Sequence, residues 1–177
     1  MKARRARSWL LLVTALAIAV TTAISAFAED KATYEKLFFI QRSKNANEVH
    51  YDARLGKDGN LDSDKPVVGY WWNKAEDGSR SSISLMQRIA YGFDVDPNGD
   101  GTYTMKLKAF KDRPLMLLKG KDGHWHGQVT IGGKQAYLNK LYVATDESGM
   151  MPKVLYVDLH GTEVATGAAV TEHIVKN

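Results

Sequence analysis

Asn47-Glu48-Val49-His50-Tyr51-Asp52-Ala53-Arg54-Leu55 decides the fold of this 177-residue chain. Val49, Tyr51, Ala53 and Leu55 fall on one side of an extended backbone and Glu48, His50, Asp52 and Arg54 on the other, because successive strand side chains point to opposite faces. One face is expected to pack and the other to meet water, the pattern of a half-buried antiparallel strand. The same period recurs on either side. Upstream, Leu37 to Ile40 opens a strand that Ser43-Lys44-Asn45-Ala46 turns back. Downstream, Val67 to Trp72 is a compact apolar strand after the polar loop 56–65.

Beyond it the alternation resumes. Tyr103, Met105, Leu107 and Ala109 alternate with Thr104, Lys106 and Lys108, following the turn-rich Asp96-Pro97-Asn98-Gly99-Asp100-Gly101. Further strands are expected at 115–119, 124–131, 137–145, 154–160 and 170–175. One segment breaks the period. Leu85, Met86, Ile89, Ala90 and Phe93 recur at helical spacing, with Ser81 or Ser82 as a cap and Gly92 as a stop, which predicts a short helix near residues 82–91. Strands set off by turns at roughly ten-residue spacing, with one short helix, predict an all-β, mainly antiparallel domain, either a sandwich or a barrel.

Residues 1–28 read as an export signal. Lys2, Arg4, Arg5 and Arg7 form a basic head, Trp9 to Val20 is almost unbroken in its apolarity, and Ala26-Phe27-Ala28 offers a small-x-small cleavage site. The apolar run of about a dozen residues falls short of the roughly 20 that span a bilayer. Cleavage therefore leaves residues 29–177 as one β-rich domain, periplasmic or secreted, with no stable membrane span. The formal charge of +4 belongs entirely to the basic head, since residues 1–28 hold no Asp or Glu, and the remainder is neutral. No basic run in that remainder supplies the clustered field that nucleic acid requires. Cysteine is absent, which excludes disulfides, thiolate metal sites and cysteine nucleophiles.

Three groups of residues carry chemical potential. His124-Trp125-His126 puts two imidazoles on one face of a strand, alpha carbons about 6.6 Å apart, where they can share a divalent metal. Against this, Trp125, Val129 and Ile131 form a packing set that would leave both rings on a solvated face, and no third ligand is identifiable. Asp96, Asn98 and Asp100 begin like a calcium loop, but Leu107 stands where a bidentate glutamate belongs, so a hairpin turn is the better reading. The third group is Arg42, Asn45, Asn47, Tyr51 and Asp52, joined by Tyr70 and Trp71. A guanidinium offers paired planar donors, amides both donate and accept, and one of two adjacent aromatic residues on a strand can stand in a groove. The same residues also suit a plain hairpin, with the asparagines shaping the turn and Arg42 paired to Asp52.

Phe38-Phe39-Ile40, Arg42, Ser43, Asn45, Asn47, Tyr51-Asp52, Pro66-Val67 and Tyr70-Trp71 together resemble a family of exported bacterial proteins described only as a domain of unknown function, the 4833-type. The resemblance spans most of residues 29–177 and implies a single exported domain. It implies no activity.

Two functions stay open on the sequence alone. The first is a non-catalytic binding or envelope-associated module that recognises a small molecule, glycan, lipid or protein partner without a cofactor. The alternative is a metal-dependent enzyme built on His124 and His126, with His50, Asp52 or His160 as further ligands.

Overall fold

The alternation at 47–55 is a strand, and it pairs on both sides. In the computed structural model, which describes residues 32–149 and 153–176, β1 (Thr33–Arg42) and β2 (Glu48–Leu55) form an antiparallel hairpin with Ile40 opposite Val49. β3 (Val67–Trp72) adds to β2 and the short edge strand β4 (Arg80–Ser82) adds to β3. After the single helical turn α1 (Arg88–Tyr91) come β5 (Phe93–Pro97), β6 (Tyr103–Leu107), β7 (Leu115–Lys119) and β8 (Trp125–Ile131), a meander of antiparallel hairpins. The long β9 (Lys134–Asp146), β10 (Lys153–Glu163) and β11 (Ala169–Val175) complete the chain. Residues 1–28, with the export reading they carry, lie outside the described residues.

All eleven strands among the described residues join one sheet, in the order β4-β3-β2-β1-β9-β8-β7-β6-β5, with β10 also on β9 and β11 beyond it. The length of β9 makes this branching possible. Its first residues, Lys134 to Tyr137, pair with β8, while Lys140 to Val143 pair with β1 in the only parallel contact among the described strands. The sheet curls until its far members face each other. Gly69 of β3 lies against Phe93 of β5, and the Tyr51 and Phe93 rings meet edge to face with centroids 5.5 Å apart. The strand-rich, mainly antiparallel expectation holds, and the architecture is a half-barrel rather than two stacked sheets. Its inner face carries the core, with Phe38, Tyr51, Met105, Leu117, Ile131 and Leu159 all buried.

The sheet edges are blunted: β4 has three residues, and β5 carries Asp94, Asp96 and Pro97. The C-terminal strand is fastened by charge. Arg113 donates from Nη1 and Nη2 to the two carboxylate oxygens of Glu172 at 2.7 and 2.8 Å, and Glu172 also accepts the Gly132 amide at 2.7 Å.

Two expectations need correction. The outward row of β2 is not wet, since every residue from Glu48 to Ala53 is buried. Side chains from β1, β3 and the following turn close over it. The helix is also shorter than residues 82–91. Ser81 and Ser82 belong to β4, and Ser84 instead closes the turn that leads into the helix, its hydroxyl accepting the Gln87 amide while Gln87 Oε1 accepts the Ser84 amide at 2.8 Å. That reciprocal pair is a capping box on a strap of residues 84–91. Its apolar residues do not all pack inward.

Gly161 sits at a bulge of β10, where an added Cβ would lie 2.6 Å from the Tyr137 carbonyl oxygen and 2.6 Å from Ile131 Cδ1. The carbonyl belongs to the β9 ladder and cannot swing aside. Gly161→Ala is expected to cost about 1–3 kcal/mol through overpacking. A melting temperature equal to that of the parent protein would refute this tight approach.

Candidate functional site

The inner rows of β1, β9 and β10 run in register, Ile40 beside Leu141 and Arg42 beside Val143, with Val143 in turn beside Val157. These side chains form the floor of an apolar trough. Met86, Ala90 and Tyr91 of the strap, with Phe110 from the 3-10 turn Lys108–Phe110, form its roof. The enclosed space is about 610 Å³, within the range of small-molecule pockets. The roof is tied to the floor at one point in particular. The Tyr51 hydroxyl, buried below the strap, donates to the Tyr91 carbonyl at 2.9 Å, and Trp71 meets the Tyr91 ring edge-on at 5.5 Å.

Arg42 interrupts the apolar floor, and Gln87, Thr145 and Lys176 add polar groups elsewhere around the trough. Arg42 follows Phe38 and Ile40 on the inward row, so its side chain enters the trough from the end of β1. Its Nε is buried and has no hydrogen-bond partner among the described residues. Nη1 stands 4.0 Å from Glu147, whose other carboxylate oxygen is taken by Lys44 at 2.5 Å. Lys44 foremost holds Glu147 below its ordinary range, so that carboxylate stays ionised and committed. The Arg42 side chain lines the trough, and at 4.0 Å Glu147 leaves its guanidinium short of a direct hydrogen bond.

Of the remaining sequence-predicted residues, Trp71 lies under Arg42 and the others serve elsewhere. Asn45 and Asn47 shape structure: Asn45 Oδ1 accepts the Asn47 amide, and the buried Asn47 side chain accepts from Ala75 at 2.8 Å and donates to Glu76 at 3.1 Å. Tyr51 and Trp71 are core, Trp71 under the Arg42 guanidinium at 5.9 Å. Asp52 and Tyr70 lie on the opposite, outer face, because each is one residue from an inward neighbour. The anticipated patch is thus divided between two sides of one sheet, and only Arg42 lines the trough. The pairing of Arg42 with Asp52 is replaced by one with Glu147.

On the outer face, His50 lies between the rings of Phe39 and Tyr70, stacked at 5.3 and 5.4 Å, with Trp72 edge-on at 5.1 Å. Its Nε2 bonds Glu48 at 2.8 Å, and Lys74 bonds the other Glu48 oxygen at 2.7 Å. Burial pushes the His50 imidazole down and the Asp52 carboxyl up. Burial also pushes the Tyr70 hydroxyl up, to about 12. Glu48 and His50 are both buried, so this layer is built for packing.

His124 and His126 have separate partners. His124 Nδ1 lies 3.2 Å from Glu35, whose second oxygen accepts the Trp125 amide at 2.8 Å. His126 Nε2 is 3.0 Å from both oxygens of Asp122, and its ring stacks on Tyr137 at 4.0 Å. Trp125, Val129 and Ile131 are the buried set, as their spacing predicts. Among the described residues no three His, Asp or Glu side chains group to hold a metal. Asn98 and Asp100 spend their side chains on their own hairpin turn, through Thr102 and Thr104.

Sequence reasoning missed the trough walls, since Leu141, Val143 and Val157 look like ordinary core positions. The one legible signal was a cation on the row of Phe38 and Ile40.

One curled, strand-rich sheet with a roofed apolar trough defines the class of domain. Residues 38–173 match the family described as Domain of unknown function (DUF4833), and the chain belongs to that family, as the resemblance at Phe38 to Trp71 implies. No curated protein and no solved structure matches the chain. No helix among the described residues is long and apolar enough to cross a membrane.

Proposed function

We propose that this protein is a non-catalytic binding module that holds an amphipathic small molecule, apolar along its body and anionic at one end, in the trough beneath the strap. The observation that carries this reading is the Arg42 side chain on the wall of a mostly apolar space of about 610 Å³, which Gln87, Thr145 and Lys176 also line. Each buried methylene contributes about 0.8 kcal/mol before the costs of ordering the ligand, so the trough supplies affinity for a chain. Arg42 supplies orientation, because a planar guanidinium pairs two donors with a carboxylate or phosphate head. The export reading of residues 1–28 supports a periplasmic or secreted location for the binder.

Native mass spectrometry of freshly purified protein tests whether a ligand is retained, and a titration with palmitate against hexadecanol tests its chemistry. Arg42→Ala is expected to weaken palmitate by about 10- to 100-fold, the loss of one charged hydrogen-bonding group, and to leave the alcohol nearly unchanged. Val143→Trp, which fills the floor, is expected to remove both. An equal loss for acid and alcohol in Arg42→Ala would refute the head-group role, and no binding of either by the parent protein would refute the reading as a whole.

A further inference from the structure

We infer that the strap and the basic cleft beside it form a docking surface for a bilayer containing anionic lipid. This does not rest on the trough having an occupant. Leu85, Met86 and Ile89 are 79, 75 and 71 % exposed, more than any other large apolar residues described, and all three lie within five positions. Clustered apolar side chains left in water on a folded domain mark an interaction surface. These are presented firmly. The Arg88 amide bonds the Ser84 carbonyl at 3.0 Å, the capping box closes the first turn, and Tyr51 anchors the last carbonyl of α1 from below.

Beside this face lies a second cleft, about 550 Å³, lined by Lys65, Arg80 and Arg88 with the hydroxyls of Ser81 and Ser82, and by no acidic residue. Among the described residues none of the three cations forms an ion pair. Arg80 rests on the Tyr70 ring at 4.6 Å, and the carboxylate that acts on it, Asp52, is buried on the outer face of the sheet. Arg88 follows Leu85 by three positions and precedes Ile89, so this cation borders the apolar projections, and Arg80 and Lys65 line the same cleft as Arg88. Apolar side chains that enter the acyl boundary, flanked by cations at head-group level, are the pattern of an interfacial element. A protein partner would need a far broader patch than these few side chains offer. The overall neutrality of residues 29–177 does not oppose this, because the local field at the cleft is what a bilayer meets. Met86 belongs to both the exposed face and the trough roof, so a docked strap brings the trough mouth to the lipid surface.

Vesicle flotation tests the inference, with phosphatidylcholine alone compared with phosphatidylcholine containing one-third phosphatidylglycerol, each at low and high salt. The protein is expected to float with the anionic vesicles and to be released as salt rises. Leu85→Glu with Ile89→Glu should reduce binding at least about tenfold, and Arg80→Ala with Arg88→Ala should abolish the preference for phosphatidylglycerol. All four side chains are exposed, so these variants keep the fold, which circular dichroism checks. Val143→Trp, with the trough filled, should still float. Equal binding to neutral vesicles, undiminished binding by the double glutamate variant, or binding of inorganic phosphate without any vesicle binding would each overturn the inference.

Discussion

Tyr51→Ala is expected to cost about 3–5 kcal/mol, a large share of the marginal stability of a domain this size. The ring is wholly buried, stacks on Phe38 at 4.7 Å and meets Phe93 edge-on at 5.5 Å, so its loss leaves a hole where β1, β2 and β5 converge. Its hydroxyl does separate work, donating to the Tyr91 carbonyl beneath the strap at 2.9 Å. Burial raises that hydroxyl well above the ordinary tyrosine value, so it remains a donor at any workable pH. Tyr51→Phe keeps the ring and removes only this bond, at a cost of about 1 kcal/mol. Urea unfolding of both variants separates the two effects. The alanine variant should lower the midpoint severely, whereas the phenylalanine variant should lower it slightly and speed amide exchange at Arg88 to Gly92. A Tyr51→Ala midpoint within the error of the parent would show that the ring is not part of the closed core.

Much of this was legible in residues 47–55. Val49, Tyr51, Ala53 and Leu55 face the core as their period requires, and reading Tyr51 as a ligand contact as well went against that pattern. What local sequence could not show was the cover on the other side. Glu48, His50 and Asp52 are polar and alternate with apolar residues, which signals a solvated face. Their burial depends on Phe39, Tyr70, Trp72 and Lys74, brought together only by pairing across three strands and the turn beyond them. The strap shows the converse limit. Leu85, Met86 and Ile89 have helical spacing, which predicts a helix without saying what covers it, because a helical turn is amphipathic whether its apolar side meets a core or looks outward. The trough was hidden for a similar reason. Leu141, Val143 and Val157 are apolar strand residues, and only the curl of the sheet leaves space above them.

Glu48→Ala is expected to destabilise by about 1–3 kcal/mol near neutral pH, and this loss should shrink on acidification. Glu48 is buried, and burial alone would raise its carboxyl, but the bonds from Lys74 and His50 outweigh that and hold it below its ordinary 4.5. A depressed carboxyl contributes stability that is present above the unfolded value and is lost as pH falls through the folded one. Removing one partner of a fully buried pair costs more, about 3–5 kcal/mol. Here the Lys74 side chain is 46 % exposed and can return to water, so the lower range applies. His50 has the same sign and acts earlier. Burial lowers its imidazole below 6.5, the folded state favours the neutral ring, and stability is lost as pH falls from 6.5 toward the folded value. Asp52 has the opposite sign. Burial raises its carboxyl above 3.8, so the ionised form is penalised at neutral pH, and acidification through the folded value recovers that contribution. The acid limb of the stability profile should therefore begin just below pH 6.5 with His50, be opposed by Asp52, and steepen when Glu48 protonates. His50→Phe, placed among Phe39, Tyr70 and Trp72, should remove the first part of that limb and leave the last. Melting temperatures measured across this range decide the matter: a Glu48→Ala deficit that stays constant from neutral to strongly acidic pH, or an early limb unchanged by His50→Phe, would show that the buried Glu48–His50 pair does not set the acid stability of the fold.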